Sequence, residues 1–248
     1  YEDAWNLAYS GFDQMQEKLR ETLTTVGNGY FASRGCFVGE KATKDIHYPG
    51  TYIAGLYNKV PTVIHDKKIY NNDFVNCPNW LLIDFKIGNE KFIDILKTKI
   101  LFYQQKLYMK EGRMTRKIKF QDAKGRITTL EVERFASMDN PHLAAVRYKF
   151  TPNNYFEPIT IRSTLDGTVT NYGVPRYRSL SGNHLNAISQ EKRNAIPKFL
   201  KMQFSMNWRI LPKPGQILKS KSKRLNKSML SDLIYWFPAL KTYNISLK

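Results

Sequence analysis

Acid–base chemistry needs carboxyl groups that can reach a bond from two sides, and within its strand-like stretches the chain offers the close pair Glu131 and Glu133. Residues two apart on a strand point the same way. That spacing fits a solvated face and not two walls of a cleft. Asp84 and Asp94 have no stronger claim. The four histidines, His47, His65, His142 and His184, match no zinc-ligand spacing, so no metal is expected. Cys36 and Cys77 are too few for a disulfide framework and read as small buried side chains, in keeping with a reducing, cytoplasmic setting. Gly27-Asn28-Gly29-Tyr30 lacks the third glycine and the strand–helix context of a phosphate loop. No Gly-x-Ser-x-Gly nucleophile elbow occurs. What remains are aromatic rings able to stack on a flat ligand, Tyr30, Tyr52, Tyr57 and Trp80, and polar groups able to hydrogen-bond, Asn28, Arg34, Asn79, Asp166, Asn171 and Arg178. Each also has a plain reading as a turn former, a loop cap or the edge of a core.

The elements that must hold these residues read as strands. Trp80–Ile87, Lys91–Ile95, Lys106–Met109, Arg113–Gln121, Arg126–Ala136, His142–Thr151 and Pro158–Asp166 carry the pattern. Apolar residues alternate in Met114, Ile118 and Phe120, in Ala144, Val146, Tyr148 and Phe150, and in Ile159, Ile161 and Leu165. Gly88-Asn89, Glu111-Gly112, Lys124-Gly125 and Asp166-Gly167 supply turns between them. Before residue 75 the periodicity is poor and long connections are expected. A single helix is weighed over Asp13–Leu23, on an apolar stripe of Phe12, Met15, Leu19 and Leu23. The expectation is an all-β chain, an antiparallel sandwich or barrel and not a βαβ sheet.

Composition bounds the rest. The 248 residues are 42% hydrophobic and 13% aromatic, enough for a packed core. No apolar run reaches the roughly 20 residues of a membrane helix, so no membrane partner is expected. The net charge of +18 is uneven: residues 191–248 hold 13 Lys and Arg against 2 Asp and Glu, leaving 26 against 19 for the remainder. A step of this kind marks a different sort of sequence and not a uniform basic face, which argues against nucleic acid even for Lys219–Arg224. Beyond residue 195 the grammar breaks. Phe199–Phe204 reads as one last strand, Pro212 and Pro214 follow, and Leu233-Ile234-Tyr235-Trp236-Phe237 is apolar without a period.

Taken in order, Gly27-Asn28-Gly29-Tyr30 with Arg34-Gly35, Tyr48-Pro49-Gly50-Thr51-Tyr52-Ile53-Ala54-Gly55, Asn76-Cys77-Pro78-Asn79-Trp80, Glu133-Arg134-Phe135-Ala136-Ser137-Met138 and Leu165-Asp166-Gly167-Thr168-Val169-Thr170-Asn171 resemble the N-terminal domain of glycoside hydrolase family 65. That family holds maltose, trehalose and kojibiose phosphorylases and related hydrolases. The resemblance covers about residues 5 to 190. It implies a large antiparallel β-sandwich of the galactose mutarotase-like (super-β-sandwich) type, stopping before the (α/α)6 barrel that carries the family's catalytic Glu. No catalytic residue is therefore carried over.

The resemblance further implies a noncatalytic domain of an enzyme acting on α-linked glucose disaccharides, with the barrel as its missing partner. No cofactor is implied; inorganic phosphate would be the co-substrate of an intact phosphorylase, and the intact enzyme could form a homodimer. Asn28, Tyr30, Arg34, Tyr52, Asn79, Trp80, Asp166 and Asn171 become candidates for a sugar-pocket rim or an interdomain loop. The alternatives are a stand-alone carbohydrate-binding module and an aldose epimerase-like sandwich. The expected division is an incomplete sandwich over 1–203 and a basic tail over 204–248, read as out-of-frame sequence.

Overall fold

The computed structural model describes residues 4–43, 45–171, 180, 182, 184–185, 207–211 and 232–236. The expected strands at Arg113–Gln121 and Arg126–Ala136 form as β9 (Arg113–Gln121) and β10 (Ile127–Ala136), joined through the Lys124-Gly125 turn, where Gly125 takes φ +76°. β11 (Ala144–Pro152) pairs antiparallel with β10 along its whole length. β8 (Lys99–Tyr108) pairs with β9 on the other side, and β1 (Asn6–Ser10) pairs with β8. Together with β13 (Asn207–Leu211) and β14 (Asp232–Trp236) these form a seven-stranded sheet in the order β1-β8-β9-β10-β11-β14-β13.

β7 (Asn79–Ile87) and β12 (Ile159–Asp166) form a second antiparallel sheet. β7 brings Trp80, Leu81, Ile83, Phe85 and Ile87 against Ile118, Phe120, Leu130, Val146 and Phe150 of the large sheet. The Phe85 ring meets Phe150 edge-on at 4.7 Å and Phe120 at 6.1 Å. Two sheets with alternating inner residues and a shared apolar layer make a β-sandwich. Alternation works here because one face of β9, β10 and β11 is buried and the other wet. Glu131 reaches Lys117 and Lys149, and Glu133 reaches Arg113 and Arg147, so this carboxylate pair is a solvated charge ladder.

Several expectations are corrected. Lys91–Ile95 is not a strand; the Asp94 carboxylate accepts from Leu96 N–H and caps a 3-10 turn over Ile95–Lys97. Lys106–Met109 is only the end of β8, whose register shifts between Ile100 and Phe102. The bulge leaves Leu101 and Phe102 both exposed and hides the alternation. The stretch before residue 75 is not mere connection. It holds a three-stranded sheet, β2 (Val26–Gly27), β3 (Phe31–Ser33) and β4 (Thr51–Ile53), and a hairpin, β5 (Tyr57–Ile64) with β6 (Lys67–Phe74). The hairpin turns on His65 and Asp66, both at positive φ (45° and 61°), a two-residue turn built without glycine.

β13 and β14 fall in the stretch where the alternation had ended, and they extend the large sheet beyond β11. The expected strand at Phe199–Phe204, the basic run Lys219–Arg224 and Arg178 lie outside the described residues. Among the described residues no helix is long and apolar enough to cross a membrane.

Candidate functional site

The one α-helix among the described residues, α1 (Glu17–Leu23), runs opposite to expectation. Its apolar residues face out, with Met15 just before it 88% exposed and Leu19 54% exposed. Its two glutamates, one helical turn apart, face in and are fully buried. The sheet they meet supplies the reason. In β9 and β10 the inward positions Arg116 and Arg134 interrupt largely apolar runs, and both guanidinium groups are buried. An apolar helix face would have left these cations without counter-charge.

Arg116 Nη2 donates to Glu17 Oε1 at 2.8 Å, to Gln105 Oε1 at 2.6 Å and to the Gly35 carbonyl at 3.1 Å. Its guanidinium lies 4.6 Å from the Phe37 ring centroid. Tyr103 donates its hydroxyl toward Glu17 and Gln105, and Gln105 Nε2 donates to Thr24 Oγ1. Glu21 takes His47 Nδ1 at 2.8 Å and the Tyr48 backbone N–H at 2.9 Å. Burial alone pushes the Glu21 carboxyl upward, but the hydrogen bond and charge of His47 and the Tyr48 N–H bring it below its ordinary value. Glu17, Glu21 and His47 offer ligand atoms within 4.8 Å of one another, a donor set that could hold a metal. Arg116 and Tyr48 already occupy those carboxylates, however, and three guanidinium groups lie nearby to repel a cation.

The candidate residues read from motifs sit mostly in the loops around this core. Asn28 Oδ1 accepts from the N–H groups of Tyr30 and Phe31 and closes its own turn. Its Nδ2 donates across to the carbonyls of Ser137 at 2.6 Å and Pro141 at 3.0 Å. Tyr30 packs edge-on against the His142 ring at 4.3 Å. Arg34 Nε donates to the Tyr48 carbonyl and Nη2 to that of Lys18, with Glu21 4.0 Å away. Tyr52 stacks on Phe74 at 5.3 Å and shares a hydroxyl contact of 3.2 Å with Tyr48. Burial pushes the Tyr52 phenol well above its ordinary value.

Asn79 Oδ1 accepts from Leu81 N–H at the start of β7, and its strand partner is Asp166, which caps Thr168. Trp80, 2% exposed, belongs to the core. Asn171 Oδ1 accepts from Asn76 N–H at 3.0 Å and its Nδ2 donates to the Phe74 carbonyl at 2.6 Å. Asn76 in turn takes Thr51 N–H and donates to the carbonyls of Pro49 and Thr170.

Arg34, Tyr52 and Asn171 therefore converge on the 48–52 segment, and Tyr30 joins them through the β3–β4 pairing, where Ala54 N–H donates to its carbonyl. Asn28 clamps the far end of that small sheet to the loop after β10. Trp80, Asn79 and Asp166 sit apart, in the core and at the β7–β12 end. The four histidines occupy four separate settings: the polar core, the hairpin turn, the Tyr30 ring and, for His184, a position 3.7 Å from Asp73.

Sequence reading missed the polar core, and it missed Asn76, the hub of the loop network around residues 48–52. The signal was present, since Arg116 stands in an inward slot between Met114 and Ile118. It also missed Glu40, whose carboxyl is pushed up to about 7 by burial and by the nearby Asp94. The group is half-buried and titrates near neutral pH.

Comparison with known proteins agrees with this architecture. The family model described as glycosyl hydrolase family 65, N-terminal domain, matches residues 7–208. An uncharacterized glycosyl hydrolase of Mycobacterium tuberculosis is 41% identical over 191 residues, which is 77% of this chain and 14% of that protein. A kojibiose phosphorylase of Caldanaerobacter subterraneus is 35% identical over 172 residues, 69% of this chain and 20% of that enzyme. Maltose phosphorylase of Bacillus subtilis is 31% identical over 175 residues, 68% of this chain and 22% of that enzyme. This chain thus spans about a fifth or less of the length of these relatives. A solved chain from the human microbiome, carrying a kojibiose phosphorylase assignment, superposes with a TM-score of 0.69 at 14% identity, over 96% of this chain and 32% of that one, which is agreement of fold. The chain belongs to glycosyl hydrolase family 65 and corresponds to its N-terminal domain.

Proposed function

We propose that this chain is the noncatalytic N-terminal sandwich of an enzyme that breaks α-linked glucose disaccharides, of the maltose, trehalose or kojibiose type, by phosphorolysis or hydrolysis. Its role is mechanical. The stapled loops present a rigid rim to a helical (α/α)6 catalytic domain, which supplies the acid. No cofactor enters this scheme, and inorganic phosphate is the co-substrate in the phosphorolytic case.

One observation carries the reading. The motif side chains that could have met a sugar are spent on other loops: Asn28 on Ser137 and Pro141, Asn171 on Asn76 and Phe74, and Arg34 on Tyr48 and Lys18. The aromatic rings are engaged likewise, Tyr52 on Phe74 and Tyr30 on His142, which speaks against a free-standing sugar-binding platform. The test is direct. Purified full-length chain is incubated with maltose, trehalose or kojibiose, with and without inorganic phosphate. No release of glucose or glucose 1-phosphate is expected; turnover of any of the three overturns the proposal. Titration calorimetry with the same sugars should register no binding heat, and a saturable isotherm would favour the binding-module reading instead.

A further inference from the structure

Among the described residues, the polar core contains a charge without a counter-charge. Arg134 lies in the Glu133-Arg134-Phe135 motif and is 1% exposed. Its Nη2 donates to the Arg34 carbonyl at 2.8 Å. Its Nε and Nη1 meet no protein acceptor among the described residues. The two carboxylates within the cluster are already taken, Glu17 by Arg116 and Tyr103, and Glu21 by His47 and Tyr48. Arg116 and Arg134 hang from the carbonyls of consecutive residues, Gly35 and Arg34, so two cations are held side by side.

Arg34, Arg116 and Arg134 stand against Glu17 and Glu21, an excess of one positive charge, and a protonated His47 would only increase it. Cys36, buried at the same place, does not supply the balance, because burial and Glu21 push its thiol far above its ordinary value. Arg134 itself is brought down to about 10, chiefly by burial and with Arg116 contributing. Ser33 Oγ, one residue from the carbonyl that Arg134 uses, is also buried without a partner among the described residues.

We propose that a small monovalent anion, chloride or another halide, binds against the Arg134 guanidinium inside the polar core. Neutral water could satisfy the open N–H groups but would leave the net charge in place, and a buried unpaired charge is the costlier defect. A single small anion does both. A cation at Glu17, Glu21 and His47 would deepen the excess.

The test uses the full-length chain. Crystals grown or soaked in bromide should show an anomalous peak in contact with Arg134, and density there without anomalous signal overturns the proposal. In solution, replacing sodium chloride by sodium gluconate at equal ionic strength should lower the melting temperature by roughly 2–4 °C, with a saturable return on adding chloride. A melt indifferent to the anion counts against the site. Arg134→Met should abolish the chloride response, and its survival in that variant would place the effect elsewhere. Should Arg134→Met not fold, the bromide experiment on the unaltered chain decides alone.

Discussion

Glu17 meets Arg116 at 2.8 Å across 99 residues of chain, one on α1 and the other on β9 of the central hairpins, with both side chains shut away from water. The contact fixes a seven-residue helix that is too short to stand by itself. Breaking a buried pair strands the remaining charge and costs about 3–5 kcal/mol. Glu17→Ala should therefore lose stability on that scale in urea unfolding. The double variant Glu17→Ala with Arg116→Met should recover part of the loss, because it removes the stranded cation as well.

The outward side of the same helix makes the opposite prediction. Leu19→Gln should change stability by no more than about 0.5 kcal/mol, as for an ordinary surface substitution. If Leu19 were the core residue that its spacing suggests, the loss would be several times larger. Comparing Leu19→Gln with Glu21→Gln in one denaturation series tests which face of the helix is inside.

How much of this was legible in the sequence can be argued residue by residue. β9, β10 and β11 could be read because Met114, Ile118 and Phe120, or Ala144, Val146, Tyr148 and Phe150, alternate with charge on a sheet buried on one face. Gly88, Gly112 and Gly125 marked real turns, each at positive φ. The β5–β6 hairpin was hidden because His65 and Asp66 make its turn, and its strands bury neither face strongly enough to impose a pattern. Asn28 and Asn171 were picked out by motif, but their part as clamps between distant loops depends on contacts more than 90 residues apart. The polar core was missed because helical periodicity assumes that apolar residues face in. Here two inward arginines reverse the rule.

The Asn76–Asn171 clamp should behave as a unit. Asn76→Ala or Asn171→Ala leaves buried backbone groups of Thr51, Pro49 or Phe74 unmet, at about 1–3 kcal/mol each. Because both alterations empty one network, the double variant should lose clearly less than the sum of the two. Strict additivity in a double-mutant cycle would show that the clamp does not couple the loops.

Glu40 gives the chain a pH dependence of defined sign. Burial and Asp94 raise its carboxyl from an ordinary 4.5 to about 7, so the folded state holds this proton more tightly than the unfolded chain. The resulting stabilisation is complete below about pH 4.5 and is lost as the pH rises through about 7. Melting temperatures from pH 5 to 8 should fall with this group's titration. Glu40→Gln should flatten that part of the curve and be the more stable form at pH 8.

Gly35 lies where β3 leaves for the core beneath α1, and a Cβ there would drive into Thr24 Oγ1 and stand 2.9 Å from the Glu21 carbonyl. Gly35→Ala should therefore push the helix off the sheet. A loss of stability comparable to Glu17→Ala is expected, since both release the same contact. An unchanged melting temperature would mean that the helix has room to shift.

The pairing of β1 with β8, in which Asn6 lies opposite Tyr108, sets an order of events during synthesis. The β8 partner of β1 and the Arg116 partner of Glu17 are made roughly 100 residues after them, about 5–20 s at ordinary rates of translation. Until β9 exists, Glu17 has no arginine to meet, and a seven-residue helix is short for standing alone. β1 and the Glu17 end of the helix thus have no sheet to dock on until those hairpins form, whereas Glu21 can already reach His47 and Tyr48.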